Sequence, residues 1–344
     1  MTQEAEVTIY DIAIKLNLSI ATVSRALRDD PAVRPKTKKK VLEMAESLHY
    51  RANNFARNLR VKNTQTIGVI IPKIASYFMS SVISGIESIT TKEGYGLIIS
   101  QSAESTENEI RNVKTMFSNR VDGLLVSLAY ETENIKHFEP FSRKLIPVIF
   151  FDRTFENSNQ LNIQIDNRKA AYNLTQHLIQ QNCKRIAHIT GSLKRDVYAE
   201  RLMGLKMALK DNKIKFYEEL LFTTKLNMDE GATVAKQILQ LKHLPDAVFA
   251  ANDDCAVGCL LELKKAGIKI PEDIAMAGFN NDPITRVVEP NLTTINYPGF
   301  DMGVIAARTL INSIKDKKTN FQEKSIILST QLIIRGSSMK TIKK

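Results

Sequence analysis

Long apolar runs are what this chain most lacks: nowhere do 18 apolar residues follow one another, so no segment is expected to cross a membrane. The opening residues, MTQEAEVTIYD, carry no basic, apolar, small-residue export signal, and a cytoplasmic location is expected. Cysteine is scarce as well. Cys183, Cys255 and Cys259 are the only three, too few and too dispersed for a disulfide framework. Cys255 and Cys259 stand four apart on a predicted helix, a spacing that could hold a soft metal. With no histidine nearby, buried core thiols are expected instead and no metal is assigned. The five histidines, His49, His137, His177, His188 and His243, show neither H-x-x-x-H nor H-x-x-H spacing. G-x-S-x-G, G-x-x-x-x-G-K-[ST] and G-x-G-x-x-G are all missing. No nucleophile is offered with its base, so neither enzymatic activity nor a cofactor is expected.

What remains is the composition of a globular protein with a basic bias. The 344 residues are 43% apolar and 25% charged, enough for a small module plus two domains of ordinary size. A formal charge of +11 suits a polyanion partner, although lysine-rich surfaces also serve solubility.

The basic bias is concentrated near the start. In TIYDIAIKLNLSIATVSRALRDD, residues 8–30, the apolar residues Ile9, Ile12, Ala13 and Leu16 share one helical face, and Val23, Ala26 and Leu27 share another. Between them Asn17 can end a helix in the left-handed conformation, Leu18 fills the corner, and Ser19 can cap the next helix. This is helix, tight turn, helix. Ile20, Ala21, Ser24 and Arg25 are left pointing outward, with Arg28 close by, on a helix suited to a DNA major groove. An ordinary two-helix corner with solvated arginines would look the same, and the flanking residues decide between the two. A third amphipathic helix over 33–48 opens at Arg34-Pro35 with Lys36, Lys38, Lys39 and Lys40 in its first turns, where positive charge opposes the helix dipole. Phosphate would favour it there. Residues 1–66 hold 12 Lys/Arg against 7 Asp/Glu, an excess of five in under a fifth of the chain. The polar stretch that follows contains a helical snippet at about 53–59, too short to be stable alone. Within it Leu59 between Arg57 and Arg60 reads either as a minor-groove wedge or as a residue packed on the body.

From residue 66 onward short apolar runs alternate with amphipathic helices. The runs are TIGVIIP, YGLIIS, VDGLLVS and IPVIFFD, then RIAHITG, ELLFTT, DAVFAAN, IAMAGF and LTTIN. Helices are expected at 78–93, 106–119, 168–182, 200–211, 229–241 and 253–266, and a long one at 300–314 precedes the terminal strands SIILSTQLIIR. Continuous Val/Ile/Leu runs divided by helices predict parallel sheets covered on both faces. Two doubly wound domains in tandem are expected, with more than one chain crossing and a ligand cleft at the carboxyl ends of the strands. Val82, Ile86 and Ile89 form a face that is either dimer interface or core. A dyad-related pair of modules is expected in any case, because one helix-turn-helix reads too few base pairs for useful specificity.

TIYDIAIKLNLSIATVSRAL, the segment NNFARNLRVKNTQTIGVIIP, RVDGLL at 120–125, AGFNND and EPNLTTI together resemble, in order and over nearly the whole chain, the LacI/GalR family of bacterial transcriptional regulators. The resemblance implies an all-α helix-turn-helix module (1–60, hinge helix about 53–59), a linker (61–66) and an α/β body (67–344). The body would have two doubly wound, periplasmic-binding-protein-like subdomains, about 67–165 plus 298–326 and about 166–297 plus 327–341. It implies a homodimer on palindromic double-stranded DNA, controlled by a sugar-like effector between the subdomains, and a repressor of carbohydrate genes rather than an activator or a cytosolic sugar-binding protein without a DNA role. The implied DNA-contacting residues are Thr8, Tyr10, Ser19, Ile20, Ala21, Thr22, Ser24, Arg25, Asn53, Arg57, Leu59 and Arg60. The implied effector residues are Phe78, Asp152, Arg195, Arg201, Asn252 and Asn280. Bidentate arginine, side-chain amides and an aromatic face suit a polyol on chemical grounds too. Plainer roles exist: Arg201 could pair with Glu200, Asn252 could cap a helix, and Phe78 could be core. Two departures stand out, Ala52 where many relatives have proline and Asn280 where many have aspartate. With Lys73, Arg153 and Arg195 near the mouth and one acidic group fewer, the cleft would also admit an anionic sugar such as a uronate or sugar phosphate.

Overall fold

The computed structural model of the chain describes residues 7–48, 50, 64–155, 160–316 and 324–340. It divides into two compact units, Met1–Thr64 and Gln65–Lys344.

The first unit holds three helices, α1 (Ile9–Leu16), α2 (Ile20–Ala26) and α3 (Pro35–Ser47). Thr8 and Asp11 form a reciprocal capping box at the start of α1. Asn17 turns the chain in the left-handed conformation at φ 51°, and the Ser19 hydroxyl accepts from Thr22 N at 3.1 Å to open α2. Ile12, Val23, Ala26 and Val41 meet in one buried cluster. Two lysines of the α3 run have partners inside the protein: Lys39 Nζ lies 3.9 Å from Glu43 on the same helix, and Lys38 is held more closely. Lys38 Nζ donates to the Asp29 carboxylate at 2.7 Å and to the Asp29 carbonyl at 3.0 Å, so phosphate is not needed to explain that charge.

In the second unit six strands form a wholly parallel sheet in the order β11-β5-β4-β3-β1-β2. They are β1 (Thr66–Ile71), β2 (Gly96–Gln101), β3 (Gly123–Val126), β4 (Val148–Phe151), β5 (Leu161–Ile165) and β11 (Ser325–Leu328). A second parallel sheet, β7-β6-β8-β9, is built from β6 (Ile186–Thr190), β7 (Leu221–Thr223), β8 (Ala247–Ala250) and β9 (Ala275–Ala277). The LTTIN run continues that sheet only through isolated parallel bridges, Ala277 with Thr293 and Asn280 with Asn296, while its β10 (Thr294–Asn296) pairs antiparallel with β12 (Gln331–Ile333). β5 was not among the expected runs, because its Asn162 and Gln164 break the apolar pattern and are only half-buried.

The helices are α4 (Tyr77–Lys92), α5 (Thr106–Ser118), α6 (Glu139–Arg143), α7 (Asn167–Gln180), α8 (Asp196–Asp211), α9 (Met228–Leu239), α10 (Asp253–Lys265) and α11 (Gly299–Asp316). α8 begins four residues before the expected 200, with Asp196 in its dipole-favoured first turn. The chain passes between the sheets three times, after β5, after β10 and after β11. One buried cluster includes residues of both lobes, from Val69 and Ile149 to Phe249 and Ala277. Val82 and Ile86 lie in it, fully buried, which makes them core rather than a free interface; Ile89 packs against it.

α4 and α11 approach so closely that side chains are excluded at the crossing. A Cβ on Gly85 would lie 2.1 Å from the Phe300 carbonyl oxygen, and one on Gly303 would lie 2.0 Å from the Val82 carbonyl oxygen. Backbone, not a flexible side chain, would have to move. Gly303→Ala is therefore expected to destabilise the body by about 1–3 kcal/mol through overpacking, despite alanine's better helix propensity. The check is the urea midpoint, and a midpoint unchanged or raised would mean the helices separate without cost.

Candidate functional site

On the first unit, Ile20, Ala21 and Arg25 form an exposed face of α2, and Tyr10 on α1 is exposed nearby in sequence. The Arg25 carbonyl accepts from Arg28 N and Asp30 N, both at 3.1 Å, while its guanidinium makes no hydrogen bond to the described residues and is available to an outside acceptor. Other implied contact residues are engaged in holding the turn. Thr8 is occupied by Asp11, Ser19 shares a 2.8 Å hydrogen bond with Thr22, and Ser24 accepts from Arg28 at 3.0 Å. Their first task is geometry. Asn53, Arg57, Leu59 and Arg60 lie outside the described residues.

In the second unit a cavity of about 120 Å³ opens between the two sheets. Phe78, Asp152, Arg201, Asn252 and Asn280 all line it, and all but Arg201, in the second turn of α8, stand at or near the end of a secondary element. Arg201 on α8 is only 3% exposed. Its Nε donates to Asn167 Oδ1 at 2.9 Å, Nη1 donates to the Ala251 carbonyl at 2.6 Å, and the guanidinium lies 3.6 Å from the Phe279 ring centroid. It does not pair with Glu200, which instead holds Arg168 through two bonds of 2.7 and 2.8 Å. Asp152 accepts from Tyr297 Oη at 2.8 Å and from Ser127 Oγ at 3.3 Å. Burial raises its pKa against the opposing pull of Arg153. Phe78 stacks on Tyr297 with ring centroids 4.3 Å apart, so it is both wall and core.

Asn252 caps α10. Its Oδ1 accepts from Cys255 N at 3.0 Å and its Nδ2 donates to the Leu226 carbonyl at 2.7 Å, which takes up most of its amide. Asn280 sits at φ 123°, a conformation that L side chains rarely adopt. Arg195 does not line the cavity. It is buried at the N-cap of α8, where Nη2 donates to the Thr132 carbonyl at 2.5 Å and so ties the second lobe to the first. Lys73 and Arg153 do line the cavity, and Arg153 is already neutralised by Glu104 at 2.9 and 2.7 Å.

The expectations from sequence missed Glu104, Tyr130, Tyr198, Lys225, Asp254 and Tyr297, all lining residues. Placing the start of α8 at 200 had left Tyr198 in a loop. The others converge only through the crossings between lobes, and no local pattern marks them. Further bonds join the lobes beside the cavity: Asp196 Oδ2 accepts from Thr154 N at 3.1 Å and Thr154 Oγ1 at 2.6 Å, and Lys194 pairs with Glu133 at 2.9 Å. Cys255 and Cys259 are buried free thiols.

Known proteins share this architecture. A family profile described as bacterial regulatory proteins, lacI family, matches residues 8–53, and one described as a periplasmic binding protein-like domain matches residues 175–338. The catabolite control protein A of Priestia megaterium is 34% identical over 315 residues, 91% of this chain and 94% of that protein. Among solved structures, the lac repressor dimer bound to operator and the anti-inducer ONPF superposes with a TM-score of 0.84 at 22% identity, over 97% of this chain and 99% of that one. A complex of the transcriptional regulator CelR with cellobiose gives a TM-score of 0.72 at 24% identity, over 96% and 99% of the two chains. At these identities the two structures establish the fold.

Next to Asn280 lies a cluster of acids with a titration signature. Asp253 accepts from Asp282 N at 2.8 Å and from Thr294 Oγ1 at 2.7 Å. Burial pushes its carboxyl up to about 7, and burial together with the charge of Asp253 pushes Asp282 up to about 8. Asp282 Oδ1 has no partner among the described residues. Over this range the native protein holds protons that the unfolded chain has lost, so stability falls as pH rises. Buried His188, held down to about 4, and His177, also lowered by burial, have the opposite slope, which fades above their ordinary 6.5. Between pH 7 and 8 the carboxyls are therefore expected to dominate, removing about 1 kcal/mol. Denaturant titrations at both pH values check this, and Asp282→Asn should flatten most of the loss; an equally steep loss in that variant would place the titration elsewhere.

Proposed function

Because the chain belongs to the LacI family of bacterial regulatory proteins, we propose that it is a repressor of carbohydrate-utilisation genes, binding a palindromic operator as a homodimer under the control of a sugar bound between the lobes of its body. DNA binding and transcriptional regulation come with the family. The operator, the dimer and the sugar are supported by what the lac repressor and CelR relatives are seen bound to. One observation carries the effector reading: Arg201 is buried in the cavity wall and fixed on Asn167, the Ala251 carbonyl and Phe279, yet Nη2 makes none of those hydrogen bonds. A guanidinium held this firmly, beside an aromatic pair and side-chain amides, matches a ring that presents hydroxyl pairs on its edge and C–H groups on its faces.

The charge around the cavity is nearly balanced. Glu104 cancels Arg153, Asp152 lies in the field of Arg201, and Asp254 offsets one of Lys73 and Lys225, so the lining keeps a single net positive charge. A neutral sugar fits such a lining, and an anionic sugar is the second reading. Binding, with no chemistry, is the role assigned to the cleft, and a cytoplasmic location follows from the regulatory role. The boundaries drawn from sequence, with 1–60 reading DNA and 67–344 binding effector and partner, serve this division of labour.

On the DNA side Ile20, Ala21 and Arg25 read base edges, while Thr8, Tyr10, Ser19, Thr22 and Ser24 meet phosphates or shape the turn. Asn53, Arg57, Leu59 and Arg60 are assigned to the hinge contact with the minor groove. Arg25→Ala is expected to lower preference for operator over random DNA by about 10- to 150-fold, the value of one bidentate base contact. Weak, salt-sensitive binding should remain. A competition gel shift reads both, and unchanged preference would remove Arg25 from the reading role. In the body, Arg201→Lys keeps a buried cation but loses the fork; it should abolish any sugar-induced rise in Tm, and an unaffected rise would move the effector site away from this cavity.

A further inference from the structure

Two tyrosines meet across the cavity from opposite lobes. Tyr130 follows β3 of the first sheet, and Tyr198 stands in the first turn of α8. Their hydroxyls are 3.2 Å apart and their rings pack edge to face at 5.8 Å between centroids. The Arg153 guanidinium lies 4.3 Å from the Tyr130 ring centroid and donates from Nη2 to Tyr198 Oη at 3.2 Å. Glu104 completes the assembly: it neutralises Arg153 and accepts from Tyr130 N at 3.1 Å. The seat of the Tyr198 ring is fixed by the end of β6, since a Cβ on Gly191 would come within 2.7 Å of that ring. Four cross-linked side chains therefore bridge the lobes at the cavity wall.

The remaining space is small. At about 120 Å³ it is comparable to the roughly 150 Å³ cavity that takes one benzene ring. Arg201, Asn280, Phe78 and Tyr297 line that space with polar and aromatic groups, and it is of the order of one six-membered ring.

We propose that Tyr130 and Tyr198 are the size-determining residues of the effector site, restricting it to a monosaccharide-sized polyol and excluding disaccharides. This rests on the reading of the cleft as a sugar site. Admitting a second ring requires the tyrosine pair to part, which breaks the Tyr130–Tyr198 and Arg153–Tyr198 hydrogen bonds and leaves the Arg153 guanidinium beside Glu104 without its aromatic cover. Removing the Tyr130 ring makes room without touching Arg201 or Asn280, whereas removing the Tyr198 ring also takes away a ring 5.7 Å from the Arg201 guanidinium.

The test uses the full chain, with thermal shift and calorimetry against aldohexoses and pentoses and against maltose, cellobiose, lactose, sucrose and trehalose. The proteins compared are the unaltered chain, Tyr198→Phe, Tyr198→Ala and Tyr130→Ala, each first shown to be folded by circular dichroism. In the unaltered chain a monosaccharide should raise Tm, and disaccharides containing it should bind at least about 100-fold more weakly, because a whole ring cannot be packed into filled space. Tyr198→Phe keeps the ring and should keep the exclusion. Tyr198→Ala or Tyr130→Ala should bring the ratio to within about tenfold. The proposal is overturned if a disaccharide binds the unaltered chain as well as its constituent sugar, or if both alanine variants bind the monosaccharide and still reject every disaccharide. No response to any sugar in any of the four proteins would overturn the sugar reading and this inference together, an outcome distinct from the other two.

Discussion

A guanidinium can be buried only where its donors and its charge are both answered, and the body of this protein is arranged around that requirement at Arg201. Its oxygen partners come from the first residue of α7, just past the first crossing between lobes, and from the carboxyl end of β8. Its flat face rests on Phe279 beyond β9, and Tyr297 at the second crossing lies within 5.9 Å of it. Asp152, at the end of β4 in the other lobe, supplies opposing charge and is itself held by Tyr297. Strand ends of two sheets and two of the three crossings thus converge on one side chain. In doubly wound folds that is where a ligand belongs.

The lobes are joined by more than the chain that threads them. Thr154 to Asp196, Arg195 to Thr132, Lys194 to Glu133 and Tyr130 to Tyr198 are all direct bonds between first-lobe loops and the start of α8. The loop that carries Tyr130 and Thr132 is in turn organised by Glu109, a buried carboxylate that accepts from Ala129 N, Thr132 Oγ1 and the His137 ring. Arg195 looked from sequence like an effector ligand. It does not line the cavity and instead ties the start of α8 to the Thr132 carbonyl of the first lobe.

What could be read from the residues alone was whatever depends on near neighbours. Asn17 and Ser19 specify a turn through their own backbone and hydroxyl chemistry, and the apolar runs of β1, β3, β4 and β8 announce strands buried on both faces. Arg201 and Asp152 were legible through the family pattern, while the groups that satisfy them were not, because Asn167, Phe279 and Tyr297 are brought together only by the crossings. The same holds for Lys38, whose partner Asp29 arrives from the preceding turn at φ 56°. Charge on a helix N-terminus looked like a demand for phosphate, and part of that demand is met within the module. Gly85 and Gly303 gave no signal either: the need for a missing side chain is a property of the neighbouring helix backbone.

An effector changes DNA affinity only by as much as it distinguishes between two arrangements of the protein. The bonds between first-lobe loops and α8 favour the bridged arrangement by themselves, and a ligand that touches both lobes adds to them. A sugar confined between Arg201 on one lobe and Phe78 and Asp152 on the other does touch both. Its leverage is therefore set by the contacts that straddle the cleft, and contacts confined to one lobe contribute affinity without control. By that criterion, under the proposed sugar reading, Asn252, whose amide is largely consumed at the cap of α10 and the Leu226 carbonyl, would shape the site, and Arg201 with Asp152 would work the switch.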